Sequence, residues 1–386
     1  MGQNLVRKII WGDQNWTCPA GVKRVKVSIY GNVDFSYLGD SHSQWLGPLG
    51  DAAGCGFNFW GNLGDNTRTD RSTAVLVLGS NRHRQVKAGG DFSLYLSAGA
   101  EIYSVGGNSA GQLGNNSATD RSTQVAVSGG FFYRTIGAGF AHGMGLRTTG
   151  GIYTWGYNNY GQLGVGDTNS RSTPTLVGSS ARWKYIEAGG NTCFAIDKDD
   201  NLYGWGQNDS GQLGVGDTQH RSTPTLVLGG GKYTKVYPSQ NPSGGWTVAL
   251  NRNGQMSACG DNSRGQLGLN DIASRSTLTS ILGGQTFVRA AVGNYHVLAL
   301  SRNVGLYVWG GNDYGQLGLN SIAHRSSPAQ SSTLTTNLPY GFAINLAAGA
   351  HHSMVSSVNS QVYVCGKNGV GQLGLGDVAD RSTALS

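Results

Sequence analysis

Histidine recurs at one position of this sequence, and its side chain could ligate a metal or transfer protons. His142, His296 and His352 each end a segment of the form Ala-Gly-x-x-His or a close variant of it. The equivalent position holds Phe92 and Thr192 in other copies of the same segment. Because a position that accepts phenylalanine does not build a metal or catalytic site, we interpret these histidines as core residues.

The cysteines that recur at one position of the sequence are also interpreted as core residues. The chain has five cysteines, all isolated and none in a Cys-x-x-Cys pair, which indicates neither a zinc site nor a dense disulfide framework. Cys55, Cys259 and Cys365 occupy a position that elsewhere holds large apolar residues, namely Val105, Trp155, Trp205 and Trp309. No carboxylate pair, nucleophile with a base, or metal cluster stands outside the repeated positions. The sequence therefore predicts a protein that is not an enzyme and that needs no cofactor or metal.

The elements that position these residues are seven copies of one repeat of about fifty residues. Each copy carries Gly-x-Asn-x-x-Gly-[Gln/Asn]-Leu-Gly, followed by Arg-Ser-[Thr/Ser], within residues 55–73, 105–123, 155–173, 205–223, 259–277, 309–327 and 365–383. The motif asparagines are Asn58, Asn108, Asn158, Asn208, Asn262, Asn312 and Asn368. The motif arginines are Arg71, Arg121, Arg171, Arg221, Arg275, Arg325 and Arg381.

Within one repeat we predict four short strands, at Trp183–Glu187, Cys193–Ile196, Leu202–Trp205 and Pro224–Leu228. The chain has 63 Gly, but its 9 Trp, 17 Tyr and 10 Phe can bury a core, which argues against disorder. Seven such units predict an all-β fold, a seven-bladed β-propeller of four-stranded blades.

Three residues after the motif Leu, only Gly or Asn occurs. This predicts a positive φ at that position, which is held by Asn66, Asn116, Gly166, Gly216, Asn270, Asn320 and Gly376.

The motif side chains have structural interpretations. A side-chain amide suits the backbone groups of a tight glycine turn, so we assign the motif asparagines to the scaffold. A guanidinium has five donors and could tie the loop carbonyls of one blade to the next blade. The alternative for the motif arginines is a phosphate-binding ring on one face of the propeller.

The ends of the chain raise the question of ring closure. We divide the sequence into an N-terminal extension, 1–21, and the propeller, 22–386. The last copy ends soon after its motif and lacks the alternating strand that follows the motif elsewhere. Val22–Tyr30 alternates, so we predict that it completes the last blade, closing the ring by pairing N-terminal and C-terminal segments. Both Asp34–Leu38 and Gly39–Ser43 resemble the next strand, and only one of them can occupy it.

The string from Trp155 to Pro174 resembles the signature of the regulator of chromosome condensation repeat, and so does Ala138–His142. The resemblance extends over nearly the whole chain and implies a seven-bladed propeller. Members of this family act as guanine-nucleotide exchange factors on a small GTPase, as chromatin binders or, in secreted bacterial relatives, as protein inhibitors of enzymes, and only the scaffold carries over to this chain. The repeat positions do not encode any of these, because propeller function lies in loops carried by the blades.

Two places break the repeat, Tyr237–Trp246 and the Ser/Thr-rich Gln330–Phe342, and we interpret both as enlarged loops. Aromatics in the variable part of the glycine turn could add a binding rim, although packing is favoured for Trp60, Tyr160 and Tyr314. The predicted partner-binding residues are Pro238, Gln240, Asn241, Trp246, Tyr340, Phe342, Phe57 and Phe59.

Charge and composition limit the partners. The net charge is +7, but one arginine per repeat accounts for much of the excess, which argues against a nucleic-acid partner. No apolar stretch approaches the ~20 residues of a membrane span, so membrane insertion is not expected.

The segment Trp16–Val27 resembles a short strand motif of bacteriophage tail and fibre proteins. We therefore predict a virion or extracellular protein for attachment or assembly, whose partners are virion proteins or a host receptor or glycan. The alternative is a cytoplasmic regulatory propeller that binds a protein such as a small GTPase, or one that inhibits a secreted enzyme.

Overall fold

The computed structural model describes residues 42–47, 49–79, 81–178, 183–303, 305–331, 343–357 and 362–385. These residues form seven antiparallel sheets and no α-helix. The predicted all-β, seven-bladed propeller is confirmed. The predicted segment Val22–Tyr30, the extension 1–21, and the predicted site residues Tyr340 and Phe342 lie outside the described residues.

Blade 1 has three described strands, β1 (His42–Leu46), β2 (Ala52–Gly56) and β3 (Arg71–Leu76). Blades 2 to 7 have four each. Their innermost strands are β4 (His83–Ala88), β8 (Tyr133–Ala138), β12 (Trp183–Gly189), β16 (Tyr233–Pro238), β20 (Phe287–Val292) and β24 (Ala343–Ala348). The second strands are β5 (Phe92–Ser97), β9 (His142–Arg147), β13 (Thr192–Asp197), β17 (Trp246–Asn251), β21 (His296–Ser301) and β25 (His352–Ser357). The third strands are β6 (Ile102–Gly106), β10 (Ile152–Gly156), β14 (Leu202–Gly206), β18 (Met256–Gly260), β22 (Leu306–Gly310) and β26 (Val362–Gly366). The outer strands are β7 (Arg121–Ala126), β11 (Arg171–Leu176), β15 (Arg221–Leu226), β19 (Arg275–Ser280), β23 (Arg325–Gln330) and β27 (Arg381–Leu385).

The core lies between blades rather than inside one sheet. The second strands are buried along nearly their whole length, since each sheet has a neighbour on both faces. One cluster, for example, packs Trp246 and Val248 of blade 5 against Phe287, Val297 and Trp309 of blade 6. Apolar residues on both faces of a strand therefore stabilise two blade interfaces at once.

The antiparallel order of the strands gives the ring two unlike faces. The short turns between second and third strands, together with the linkers between blades, lie at one end, which we call the hairpin face. The connections between first and second strands and the long motif loops lie at the other end, the long-loop face. Side chains can therefore be assigned to a face from their position in the repeat.

One contact joins every blade to the next. The second glycine of the motif has a positive φ, and a Cβ there would lie within 2.7 Å of the Ser Cα of the next Arg-Ser segment. The pairs are Gly61–Ser122, Gly111–Ser172, Gly161–Ser222, Gly211–Ser276, Gly265–Ser326, Gly315–Ser382 and Gly371–Ser72. The Gly or Asn predicted to have a positive φ does so in all seven copies. At Gly166, for example, its N–H donates to the carbonyl of Ser222 at 2.8 Å.

Ring closure uses this same contact, between Gly371 of blade 7 and Ser72 of blade 1. An apolar cluster containing Trp45 of blade 1 and Met354 of blade 7 lies beside it. Residues 343–385 supply four strands of the last blade, and the predicted completion of that blade by Val22–Tyr30 falls on residues outside the described chain. The blade with only three described strands is the first one.

Candidate partner-binding surface

The motif asparagine organises each long loop from inside. Asn158 is fully buried, and its Oδ1 accepts the N–H of Leu163 at 2.8 Å. Its Nδ2 donates to the carbonyls of Asp167 and Asn169, both at 3.0 Å. The amide thus satisfies three backbone groups that the tight turn removes from strand pairing.

The motif arginine also bonds within its own loop, which corrects the prediction that it ties one blade to the next. Arg171 donates to the carbonyl of Asn169 and to the Asp167 carboxylate, both at 2.7 Å. Its hydrogen bond is the main cause that lowers the pKa of Asp167 to about 2. Arg121 and Arg325, whose loops carry Ser where Asp167 stands, are exposed and form no ion pair within the described chain.

A further column of loop residues was missed by sequence reasoning. The residue before each motif arginine accepts a hydrogen bond from the backbone N–H of the motif asparagine, through Asp70, Asp120, Ser170, His220, Ser274, His324 and Asp380. All seven side chains carry an acceptor atom. The signal was present in the sequence, because only Asp, Ser and His occur in this column.

The histidine column forms buried links between blades. His142 Nε2 lies 3.1 Å from Cys193 Sγ, and His296 Nε2 lies 2.8 Å from Ser353 Oγ. His352 bonds to Ser43 of blade 1 in the same way. Burial lowers the pKa of His142 to about 4 and raises the pKa of Cys193. A thiolate–imidazolium pair needs the opposite shifts, so His142 and Cys193 do not form a nucleophilic pair.

These buried histidines predict acid sensitivity. Burial lowers the pKa to about 4 for His42 and His142 and to about 3 for His296 and His352. Between the ordinary value of 6.5 and these values the unfolded chain binds protons that the folded chain does not, so stability falls as pH falls. The variant His142→Phe places at this position the residue that blade 2 has as Phe92. When the pH falls from about 7 to about 4, we expect the free energy of unfolding of the parent to decrease by about 1–3 kcal/mol more than that of the variant. Urea unfolding at both pH values measures this, and parallel curves for the two proteins would contradict it.

The segment Pro238–Trp246 is not the exposed loop that the sequence predicted. Pro238, Gln240, Asn241 and Trp246 are all buried. The innermost strands of a propeller surround a central channel. Equivalent connections in blades 2 to 4 hydrogen-bond from one blade to the next around this channel, as Phe140 N–H does to the Gly190 carbonyl. The insertion continues this chain of bonds, so it belongs to the scaffold.

The Gln240 side chain makes the hydrogen bonds between blades that a backbone group makes in the equivalent connections. Its Oε1 accepts the N–H of Gly190, and its Nε2 donates to the carbonyls of Ala138 and Ala188. Trp246 fills the histidine column of blade 5 and donates its indole N–H to the Asn294 carbonyl at 2.7 Å. Both residues hold neighbouring blades together.

Five other residues of the long-loop face form a continuous partly exposed surface, which we call the aromatic strip. It consists of Arg264, Tyr295, Tyr314, His351 and Lys367, from blades 5, 6 and 7. The His351 ring lies 5.8 Å from the ring of Tyr295 and 5.1 Å from that of Tyr314. Arg264 covers Tyr295 at 4.7 Å, and the Lys367 ammonium lies 5.2 Å from the centre of Tyr314. These rings, together with the Asp313 carboxylate that pairs with Arg264, hold the two cations in place at the surface.

Two further aromatic groups lie on this face. On blade 1, Phe59 is 56% exposed, packs edge-on against Trp60 and stacks with Phe57. On blade 3, Tyr157 and Tyr160 form an edge contact, and Tyr157 lines an open groove of about 540 Å³. The sequence predicted Phe57 and Phe59, but it missed Tyr295 and His351, which occupy variable positions just before a second strand.

Within the described residues, no group of three or more His, Cys, Asp or Glu side chains could hold a metal ion. No helix in that part of the chain is long and apolar enough to cross a membrane. What the long-loop face offers is therefore a set of rigid aromatic and cationic side chains suited to contact with another molecule.

The fold and its loops define a class, the propellers built from regulator of chromosome condensation (RCC1) repeats. Family models of the RCC1 repeat match residues 149–196, 199–238, 253–300 and 305–356, and a second model of the repeat matches 133–162, 183–212 and 287–316. Together these matches span more than half of the chain, which thus belongs to the RCC1 repeat family. No curated protein sequence matches the chain.

Solved structures share the fold. Human WBSCR16 is 22% identical with a TM-score of 0.74, over 85% of this chain and 87% of that one. Prp20p of Saccharomyces cerevisiae, reported with its binding to Gsp1p and histones, is 21% identical with a TM-score of 0.72, over 84% and 83%. Yeast RCC1 (Prp20) bound to Kap60 is 21% identical with a TM-score of 0.71, over 81% and 77%. At these identities the likeness concerns the fold.

Proposed function

We propose that this chain is a non-catalytic, protein-binding propeller of the regulatory type and that its partner contacts the aromatic strip. The observation that carries the proposal is the strip itself, five aromatic and cationic side chains that contact one another in sequence across three blades. Tyrosine and arginine are the residue types that contribute most binding energy in protein interfaces. The neighbouring Phe59 and Phe57 of blade 1 extend the same face, and we assign them to the edge of the contact.

The family supports a protein as the partner. Prp20p is reported with binding to the proteins Gsp1p and histones, and yeast RCC1 (Prp20) is solved bound to Kap60. This favours a cellular protein partner, such as a small GTPase, over a virion component. The virion or extracellular location and the attachment role remain predictions, and the segment that motivated them, Trp16–Val27, lies outside the described residues.

The test uses Gsp1p and histones as probes. Tyr295→Ala combined with Tyr314→Ala should weaken binding of the purified chain at least about tenfold, because two of the three rings of the strip are removed. Biolayer interferometry measures the dissociation constants, and the melting temperature reports whether the fold is kept.

The matched control is Tyr157→Ala combined with Tyr160→Ala, which removes two partly exposed tyrosines from blade 3 of the same face. We expect its affinity to equal that of the parent. If the parent binds neither probe, the proposed partner class is wrong. If both double variants bind as weakly as each other, the contact is not at the strip.

A further inference from the structure

We infer that the hairpin-face mouth of the central channel binds an acidic polypeptide segment. This inference concerns the face opposite the aromatic strip and does not depend on the proposed function. It rests on a row of cations at the ends of neighbouring innermost strands, which no motif of the repeat explains.

The backbone of the innermost strands presents these side chains. All six described innermost strands have a β-bulge at their second residue, where register with the second strand shifts. A bulge redirects the side chains beside it. Five consecutive strands carry a cation at the bulge or immediately after it: Arg84, Arg134, Lys184, Lys235 and Arg289, which we call the cationic arc. Innermost strands of adjacent blades contact one another, so the arc follows the channel wall.

The contacts of the arc keep its charges at the channel mouth. Arg84 donates to the Tyr133 carbonyl, and Arg134 to the Trp183 carbonyl, each on the next innermost strand. The Lys235 ammonium lies 5.7 Å from the centre of the Tyr185 ring. Carbonyls and a ring orient these cations without cancelling their charge, which leaves them able to bind carboxylates.

Arg289 and Lys184 complete the arc. Arg289 donates to Asn345 Oδ1 at 3.0 Å. Lys184 forms an ion pair with the buried Asp200, which also pairs with Arg252, so one carboxylate serves two cations. The arc therefore keeps an excess of positive charge even where an acid is present.

The surrounding face has the same sign. The described carboxylates of the hairpin face are Asp51, Glu101, Asp197, Asp199 and Asp200. Its cations outside the arc are Arg82, Arg147, Lys198, Lys232, Arg252 and Arg302. On the long-loop face, by contrast, five motif arginines pair with an Asp of their own loop. Excess positive charge is thus concentrated on the hairpin face, where the arc lies.

The neighbours of the arc favour a polypeptide over a nucleic acid or glycan. Phe132, next to the start of β8, is 57% exposed, and Val288, the bulge residue of β20, is 45% exposed. Apolar side chains between separated cations suit a segment with both carboxylates and apolar residues. A phosphate or sulfate polymer would leave Phe132 and Val288 in water.

The experiment titrates the full chain with a fluorescein-labelled, glutamate-rich peptide containing leucine and follows fluorescence anisotropy. Replacing Arg84, Lys235 and Arg289 together with Gln should weaken binding at least about tenfold. The charge-matched control replaces Arg68, Arg121 and Arg325 of the long-loop face with Gln and should bind like the parent. Replacing the three arc residues by the other cation, Arg84→Lys, Lys235→Arg and Arg289→Lys, should retain binding and guards against a folding defect.

Several outcomes would overturn the inference. They are no binding by the parent, equal loss in the arc and control variants, and equal binding of a peptide with Gln in place of Glu. Tighter arc-dependent binding of polyuridylic acid than of the peptide would assign the mouth to nucleic acid instead. A variant with Phe132→Ser and Val288→Ser that binds the peptide like the parent would remove the argument for a polypeptide.

Discussion

Gly161→Ala should lower the free energy of unfolding by about 2–5 kcal/mol, because it combines backbone strain with a clash between blades. Gly161 has a φ of +78°, and a Cβ there would lie 2.6 Å from Ser222 Cα and 2.8 Å from Ser222 Cβ. The obstacle is backbone of the next blade, so it cannot move aside like the end of a flexible side chain. The same contact occurs at every interface between blades, including the one that closes the ring. The loss of stability therefore measures how much one such contact contributes to holding two blades together.

Gly230→Ala is the matched control for Gly161→Ala. Gly230 has a φ of +61°, but nothing lies within 4 Å of the position that its Cβ would occupy. We expect this variant to lose only about 1 kcal/mol, the cost of the left-handed conformation alone. Urea unfolding of both variants separates strain from clash. Equal losses would show that the Gly–Ser contact does not hold the blades together.

The repeat made the scaffold predictable because its seven copies act as an internal alignment. A column restricted to Gly and Asn, such as Asn116 and Gly166, has a direct backbone cause, and both residues have a positive φ. Strand positions follow equally well from local alternation. These features depend on residues a few positions apart, which a sequence displays.

Burial of the insertion could not be predicted in this way. Gln240 bonds to the Ala138 carbonyl, 102 residues away, and to the Ala188 carbonyl, 52 residues away. These partners meet only once the ring has formed, so local spacing indicates a loop but not where the loop packs. Trp246 is different, because its place in the column of His142 and His296 was visible in the sequence.

The candidate sites were less predictable than the scaffold for the same reason. Tyr295 and Tyr314 belong to one blade, and Arg264 and His351 to its two neighbours, so the aromatic strip exists only across interfaces. Aromatic residues at variable positions predicted a binding rim, but they did not indicate which of these residues lie together. Only the stacking geometry separates residues that form one surface from residues that point to different blades.

A buried ion pair between two blades that are not neighbours gives the other large expected effect. Lys87 of blade 2 reaches past blade 3 to Glu187 of blade 4, with its Nζ 3.0 Å from Oε1 and 3.2 Å from Oε2. The equivalent position of blade 3 is Gly137, which has no side chain to stand between them. Both charged side chains are 6% exposed, so water does not replace a lost partner.

Lys87→Met should therefore lower the free energy of unfolding by about 3–5 kcal/mol, because it leaves the Glu187 carboxylate buried without its cation. Tyr185, whose hydroxyl donates to Glu187 at 3.0 Å, offers only a neutral hydrogen bond in compensation. Adding Glu187→Leu should recover most of the loss, since an apolar pair of similar volume removes the uncompensated charge. The two substitutions are expected to be strongly non-additive in a double-mutant cycle measured by urea unfolding.

The exposed pair Arg264–Asp313 is the control for this cycle. Its side chains are 34% and 39% exposed, so solvent screens the attraction and Asp313→Leu should cost no more than about 1 kcal/mol. The contrast tests whether burial, rather than the presence of an ion pair, sets the size of the effect. If Lys87→Met and Glu187→Leu destabilise additively, each residue acts through its own packing, and the link across blade 3 does not contribute to holding blades 2 and 4 in place.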